Sequence, residues 1–276
     1  MSLDEILTQA RNEFGIRVDF SLVVFSMALI LARLLPVIIL TPFLGGESIP
    51  GQVRISLGVV LGVVLFPAVA EQAAQIPMGF IPYLALFLKE VFIGFALAFI
   101  VDLVFQAAGT AGAFMDMFSG ATMAQMMVPQ VQRQVTLYSS LKLQLVVVLF
   151  LTLNGHHWVI ENLADSFLKL PLNEFPRFSF GLGPFFEVVL RVFGDLFRIG
   201  LALASPVLLA VFLTEAALGV INRAAPQIQV FFMAMQIKPA VTALMVIVSL
   251  HLIFGRFVQE YGAMFLNFRR AIGLLG

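Results

Sequence analysis

Six apolar stretches, at about 20–44, 55–70, 80–115, 137–160, 185–222 and 228–256, take up most of this 276-residue chain. Each is too long, and too rich in Leu, Ala, Met and Phe, to be a strand, so the pattern predicts helices. The hydrophobic fraction is 61% and only 12% of the residues are charged. A soluble domain is about half apolar and a quarter charged. One globule cannot hide that excess, because apolar atoms would still have to cover its surface. The stretches therefore face lipid, other apolar subunits, or both. The expected fold is an all-α, membrane-associated protein.

A plain bundle of spanning helices does not fit the charges. A spanning helix needs about 20 predominantly apolar residues. The charge-free runs at 55–70, 72–88, 103–115, 143–160, 199–214 and 239–255 all stop short of that. Lys and Arg near a helix end can reach the interface along their apolar stems. Arg33, Asp102 and Asp116 lie too deep for that, and a charge in hydrocarbon costs several kcal/mol on most scales. Either they pair inside a bundle or these segments do not simply span. Pro36, Pro42, Pro67, Pro206, Pro226 and Pro239 fall within or at the ends of apolar stretches, and each removes a backbone donor. Broken helices at membrane depth are tolerated where protein or a water-filled path satisfies the freed carbonyls. The basic residues show no alternation between loops from which a topology could be read.

Boundaries follow from the punctuation. Gly45-Gly46 and Pro50-Gly51 separate the first two stretches, Pro77 and Pro82 precede the third, and Pro171 to Pro184 marks the longest polar connection. Residues 1–19 mix acidic and basic side chains without the basic start and apolar run of a secretory signal. They are read as an amphipathic or mobile leader. Residues 20–268 are read as one helical domain without internal repeats, and 269–276 as a short C-terminal tail.

Chemistry is excluded motif by motif. Cysteine is absent, which removes disulfides, thiol catalysis and iron–sulfur ligation. Sixteen basic residues balance sixteen acidic ones, so net charge does not point to nucleic acid. There is no P-loop, no Gly-x-Gly-x-x-Gly, no His-Glu-x-x-His and no Gly-x-Ser-x-Gly. His156 and His157 are adjacent, so on a helix they diverge and make a poor metal clamp; a turn or helix start is the better reading. Neither an enzyme nor a cofactor, metal or catalytic site is expected.

Two features remain. The stretch Met115 to Pro129 holds five of the twelve methionines. Methionine packs against irregular or changing surfaces, so Met115, Met117, Phe118, Met123, Met126 and Met127 could form a soft gasket that plugs a pore. Ordinary packing of a helix turn explains them equally simply. Glu187, Arg191, Asp195 and Arg198 lie on one narrow arc of a helix starting near Pro184. Their i,i+4 and i,i+3 spacings suit ion pairs on a solvated face, or a polar stripe that meets a sister subunit.

Several segments, read in order, resemble the FliR/SctT (YscT/SpaR) family of type III secretion export-gate proteins. They are Ala32-Arg33-Leu34-Leu35-Pro36 with Thr41-Pro42-Phe43-Leu44-Gly45, then Ile49 to Leu57 ending at Phe66-Pro67. Leu88-Lys89-Glu90-Val91-Phe92-Ile93-Gly94-Phe95 runs into Ala107 to Gly112, and Leu153-Asn154-Gly155-His156-His157 leads to Asp165-Ser166-Phe167. Ala204-Ser205-Pro206-Val207 follows, then Asn222 to Gln227 and Ile237-Lys238. Gln236 stands where these families often carry proline.

The resemblance implies inclined, broken helical hairpins in a hetero-oligomeric export gate. It implies one copy of this chain beside FliP/SctR-like, FliQ/SctS-like and FlhB/SctU-like membrane subunits. The place would be the bacterial inner membrane, with the assembly projecting to the periplasmic side, and the substrates unfolded secreted proteins. A plug-like loop of the family falls at Met115–Pro129, which favours the gasket reading there. Asn154 to His157 look flagellar, whereas Phe232 to Lys238 and Leu34 to Pro36 look more like the injectisome branch, which is favoured. The competing reading is a polytopic small-solute transporter with Asp102, Asp116 and Lys238 on its path.

Overall fold

The computed structural model describes residues 20–44, 49–73, 75–77, 79–120, 137–176, 181 and 183–276. The segment 1–19 lies outside them. The described residues form seven α-helices and no strand: α1 Phe20–Leu40, α2 Gly51–Ala73, α3 Phe80–Ser119, α4 Leu137–Thr152, α5 Gly155–Lys169, α6 Gly183–Ala224 and α7 Val230–Leu275. The chain is all-helical. Five of these helices are long and apolar enough to cross a membrane, and the sharply bent pair of α4 and α5 has the composition of either a broken sixth span or a re-entrant loop.

Local chemistry sets the ends. Thr41 closes α1 by offering both its amide and its hydroxyl to the Val37 carbonyl, at 3.1 and 2.7 Å. Pro42 then stops the helix, since it has no amide to continue the ladder. Pro50 gives its carbonyl to the amides of Val53 and Arg54 and so starts α2. Asn154 takes a left-handed conformation, φ 57°, between α4 and α5, a cap geometry that Asn tolerates better than most residues. The apolar stretch 137–160 is therefore two helices. Pro36, Pro67, Pro206 and Pro239, by contrast, sit inside helices that continue past them.

The chain separates into two compact units. Unit 1 comprises residues up to Phe99, His157–Phe185 and Arg269–Gly276; unit 2 comprises Ile100–His156 and Phe186–Phe268. In unit 1, α2 lays Gly58 and Gly62 against Leu31, Leu35 and Met27 of α1. That Gly-x-x-x-Gly spacing puts two small residues on one helix face and lets apolar helices pack closely. Residues 269–275 form the last turns of α7, with Ala271, Ile272 and Leu275 buried. In unit 2, the rings of Phe105, Phe150 and Tyr261 pack edge-on or tilted, with centroids 5.1–6.2 Å apart. The Tyr261 hydroxyl donates to the Val146 carbonyl at 2.7 Å, so its one polar atom is satisfied inside the apolar cluster.

Candidate functional site

Three of the segments that carry the resemblance converge in unit 1. Arg33 on α1 lies among the buried Leu29, Ile30, Leu34 and Val37 and is itself fully buried. A guanidinium there must find acceptors, since it cannot lose its proton. Glu90 on α3 supplies a two-pronged partner: Nε donates to Oε2 at 2.5 Å and Nη2 to Oε1 at 2.9 Å. Nη1 donates to the Ser166 hydroxyl at 3.2 Å and Nη2 also to the Leu170 carbonyl at 2.8 Å. The guanidinium carbon stands 4.2 Å from the centre of the Phe167 ring.

Lys89 completes the cluster. Its Nζ is 2.6 Å from Glu90 Oε1 and donates to the carbonyls of Pro171, Leu172 and Glu174 at 2.9–3.2 Å. Two cations thus share one carboxylate. The extra positive charge sits where α5 ends, at the negative pole of its aligned peptide dipoles. Gly94, one turn beyond Glu90, explains how α1 comes so near. A Cβ there would collide with the Arg33 carbonyl. A cavity of about 340 Å³ opens beside the cluster, lined by Lys89, Lys169, Pro171, Glu174 and the end of α7. The donors of Arg33 and Lys89 are spent on protein acceptors, so the arrangement staples three helices rather than presenting a reactive group.

Asp116 does comparable work in unit 2. Its carboxylate accepts from the amides of Tyr138 at 3.0 Å and Ser139 at 3.1 Å. These belong to the first turn of α4, where amides have no partner within the helix. The end of α3 therefore caps the start of α4, and Ser139 Oγ reaches back to the Gly109 carbonyl at 3.0 Å. Gly112 meets the Ser139 backbone so closely that a Cβ would overlap it. Arg33 and Asp116, too deep to reach water, are thus both paired inside protein. Asp102 is half-buried and accepts from Gln106 at 3.3 Å. Lys238 pairs with Glu215. Asp102, Asp116 and Lys238 thus belong to three separate hydrogen-bond sets.

Of the methionine stretch, Met115 is packed inside unit 2, whereas Met117 and Phe118 are 64% and 42% exposed. Met123, Met126 and Met127 lie outside the described residues. Along α6, Arg191 Nη2 donates to Glu187 at 2.8 Å and Arg198 Nε to Asp195 at 2.9 Å. Glu187, Arg191 and Arg198 are exposed, while Asp195 turns toward a cavity of about 20 Å³ that it lines with Glu260 and Asn267. Further along, Pro206 cannot donate to the Ala202 carbonyl, and the Ser205 hydroxyl takes that acceptor at 2.8 Å. The next carbonyl, Leu203, accepts from the buried Lys142 at 3.1 Å. The Ala204-Ser205-Pro206 segment is thereby a repaired helix break.

The family model described as bacterial export proteins, family 1, matches residues 24–264. Flagellar biosynthetic protein FliR of Aquifex aeolicus is 29% identical over 231 residues, which cover 83% of this chain and 87% of that protein. FliR of Bacillus subtilis is 26% identical over 253 residues, 91% of this chain and 96% of that protein. Yop proteins translocation protein T of Yersinia pestis is 29% identical over 226 residues, 81% of this chain and 85% of that protein.

Proposed function

The chain belongs to the bacterial export proteins, family 1, and on that premise we propose that it is a multi-pass inner-membrane subunit of a type III export apparatus. The observation that carries this reading is the family match across residues 24–264, which takes in every segment named for the resemblance. Flagellar and translocation relatives stand at the same identity, 29%, so the proposal is the machinery common to both. Its role is to form, with other membrane subunits, the portal through which unfolded proteins leave the cytoplasm.

Helix length supports the need for those subunits. Exposed apolar residues run along α6 from Phe186 to Val220 and along α7 from Phe231 to Leu266. At 1.5 Å per residue each stripe is about 50 Å long, against a hydrocarbon core of about 30 Å. Charges interrupt both stripes, exposed Glu187, Arg191 and Arg198 on α6 and half-buried Lys238 and Arg256 on α7, so only the charge-free runs 199–214 and 239–255, about 25 Å each, match that core. The exposed apolar residues beyond those runs, Phe186, Leu190 and Phe193 on α6 and Phe231, Phe232 and Leu266 on α7, are proposed to be covered by protein. FliP/SctR-like, FliQ/SctS-like and FlhB/SctU-like subunits are the proposed cover, with the excess length on the periplasmic side. The exposed polar stripe of Glu187, Arg191 and Arg198 is proposed to meet one of them.

The exposed Met117 and Phe118 begin the proposed gasket, which continues through Met123, Met126 and Met127. Removing residues 119–129 from the assembled apparatus is expected to raise the leak of small ions across the membrane. Unchanged conductance with normal assembly would remove the gasket role. Deleting the whole protein tests the function itself: export of the apparatus's substrates should stop and return with a plasmid copy. Undiminished export in the deletion strain would refute the proposal. Solute uptake into liposomes by the purified chain alone would favour a transporter.

A further inference from the structure

We infer that Asp102 and Gln106 receive a lysine or arginine carried midway along an apolar helix of another membrane subunit, which rests on the proposed role of this chain as a subunit. The Asp102 carboxylate accepts from the Gln106 amide at 3.3 Å to each oxygen. Among the described residues no lysine or arginine pairs with it. The other two carboxylates of α3 are fully served: Glu90 by Arg33 and Lys89, and Asp116 by the amides of Tyr138 and Ser139. Asp102 has one long contact to a neutral donor, so positive charge is what it lacks.

Depth makes that shortfall matter. Lys89 donates to carbonyls of the connection after α5, where Glu174 and Phe175 are exposed. Lipid-exposed irregular backbone does not occur within hydrocarbon, so the level of Lys89 marks an edge of the membrane core. The stretch of α3 before it, 80–88, is too short to span, and the core lies on the other side. Asp102 is thirteen residues further along α3, about 20 Å into a core of about 30 Å. A carboxylate there is costly unless a partner faces it. The chain's own packing leaves that side of α3 open. Leu103, Val104, Phe105, Ala107 and Ala108 are buried, whereas Asp102 and Thr110 are half-buried and Gln106, Ala113 and Met117 are exposed. At about 100° per residue the latter five share one arc. Thr110 and Ala113 are small enough to let a second helix come close, and a charged contact beside them gives an apolar seam its specificity.

Cross-linking in cells that make the complete apparatus tests this. A photoreactive phenylalanine analogue in place of Ala113 should link this chain to another membrane subunit. Asp102→Lys should lower the yield per membrane-inserted chain at least about tenfold, because like charges would then meet. Asp102→Asn, nearly the same shape, should also lower it, and carries the comparison should Asp102→Lys fail to accumulate. Asp102→Glu should retain it. Second-site changes that restore export to Asp102→Lys should remove or reverse a lysine or arginine in an apolar helix of the cross-linked subunit. Three results would overturn the inference: a yield undiminished by loss of the charge, no adduct at position 113 in cells that export normally, or suppressors confined to a cation of this chain such as Arg133. Export that persists when the whole chain is deleted would instead refute the subunit role itself.

Discussion

In a chain carrying Glu90→Ala, the membrane-inserted protein falls to a small fraction of the wild-type level. The reason is arithmetic of charge: Glu90 is the one carboxylate that Arg33 and Lys89 share, and all three are buried. Removing one partner of a buried ion pair costs about 3–5 kcal/mol, because it strands the other charge. Here it strands two. A whole domain is stable by only about 5–15 kcal/mol, so the loss should read out as degradation. Immunoblots of washed membranes, with protease resistance as the second measure, check it. Glu187→Ala is the internal control. That side chain also pairs with an arginine, at 2.8 Å, but on an exposed face, where such a pair is worth about 0.3–0.5 kcal/mol. Equal levels for the two variants would mean that the Arg33 cluster does not hold unit 1 together.

Gly112→Val should separate α3 from α4. A Cβ at Gly112 would overlap the backbone of Ser139 and the carbonyl of Tyr138. Overpacking costs about 1–3 kcal/mol when side chains can move aside. Backbone atoms cannot, so that range is a lower bound here. Displacing α4 would also pull the amides of Tyr138 and Ser139 from Asp116, adding the loss of two hydrogen bonds to a charged acceptor. Gly109→Ala is the contrast, since its added carbon would meet only Ser139 Oγ, at 3.7 Å. Thermal unfolding of the detergent-purified assembly should show a clear loss for Gly112→Val and little change for Gly109→Ala. A normal melting profile for Gly112→Val would show that the two helices do not approach as closely as described.

How much of this could be read from sequence depends on whether the signal is local. The stretches 80–115, 185–222 and 228–256 predicted α3, α6 and most of α7, because uninterrupted apolar runs report helices well. The charges at Arg33 and Asp116 already posed a choice, pairing inside a bundle or segments that do not simply span, and the structure shows the pairing. Their partners were not legible. Glu90 is 57 residues from Arg33, and four of the other acceptors in the cluster are backbone carbonyls, which leave no mark in a sequence. Gly94, one turn after Glu90, was the available clue to a close approach. The last turns of α7 were missed for the opposite reason. Arg256, Glu260, Arg269 and Arg270 look like the end of an apolar helix. Arg256 instead pairs with Glu260 at 3.0 Å, and Arg269 donates to Asn162 at 3.0 Å while lying over Trp158. The break at Asn154 does not show in hydropathy, but the turn or helix start read at His156-His157 marked it, and α5 begins at Gly155.

This chain is proposed to be one part of a larger membrane assembly, with the exposed apolar residues toward the ends of α6 and α7 covered by other subunits. The direct test is to purify the tagged chain from membranes of its own host in mild detergent and weigh the particle. The expected particle is several times heavier than this chain's 30.3 kDa and contains one copy of it with several copies of small apolar partners. A stable particle with the mass of this chain and bound detergent alone, from cells still exporting normally, would contradict it.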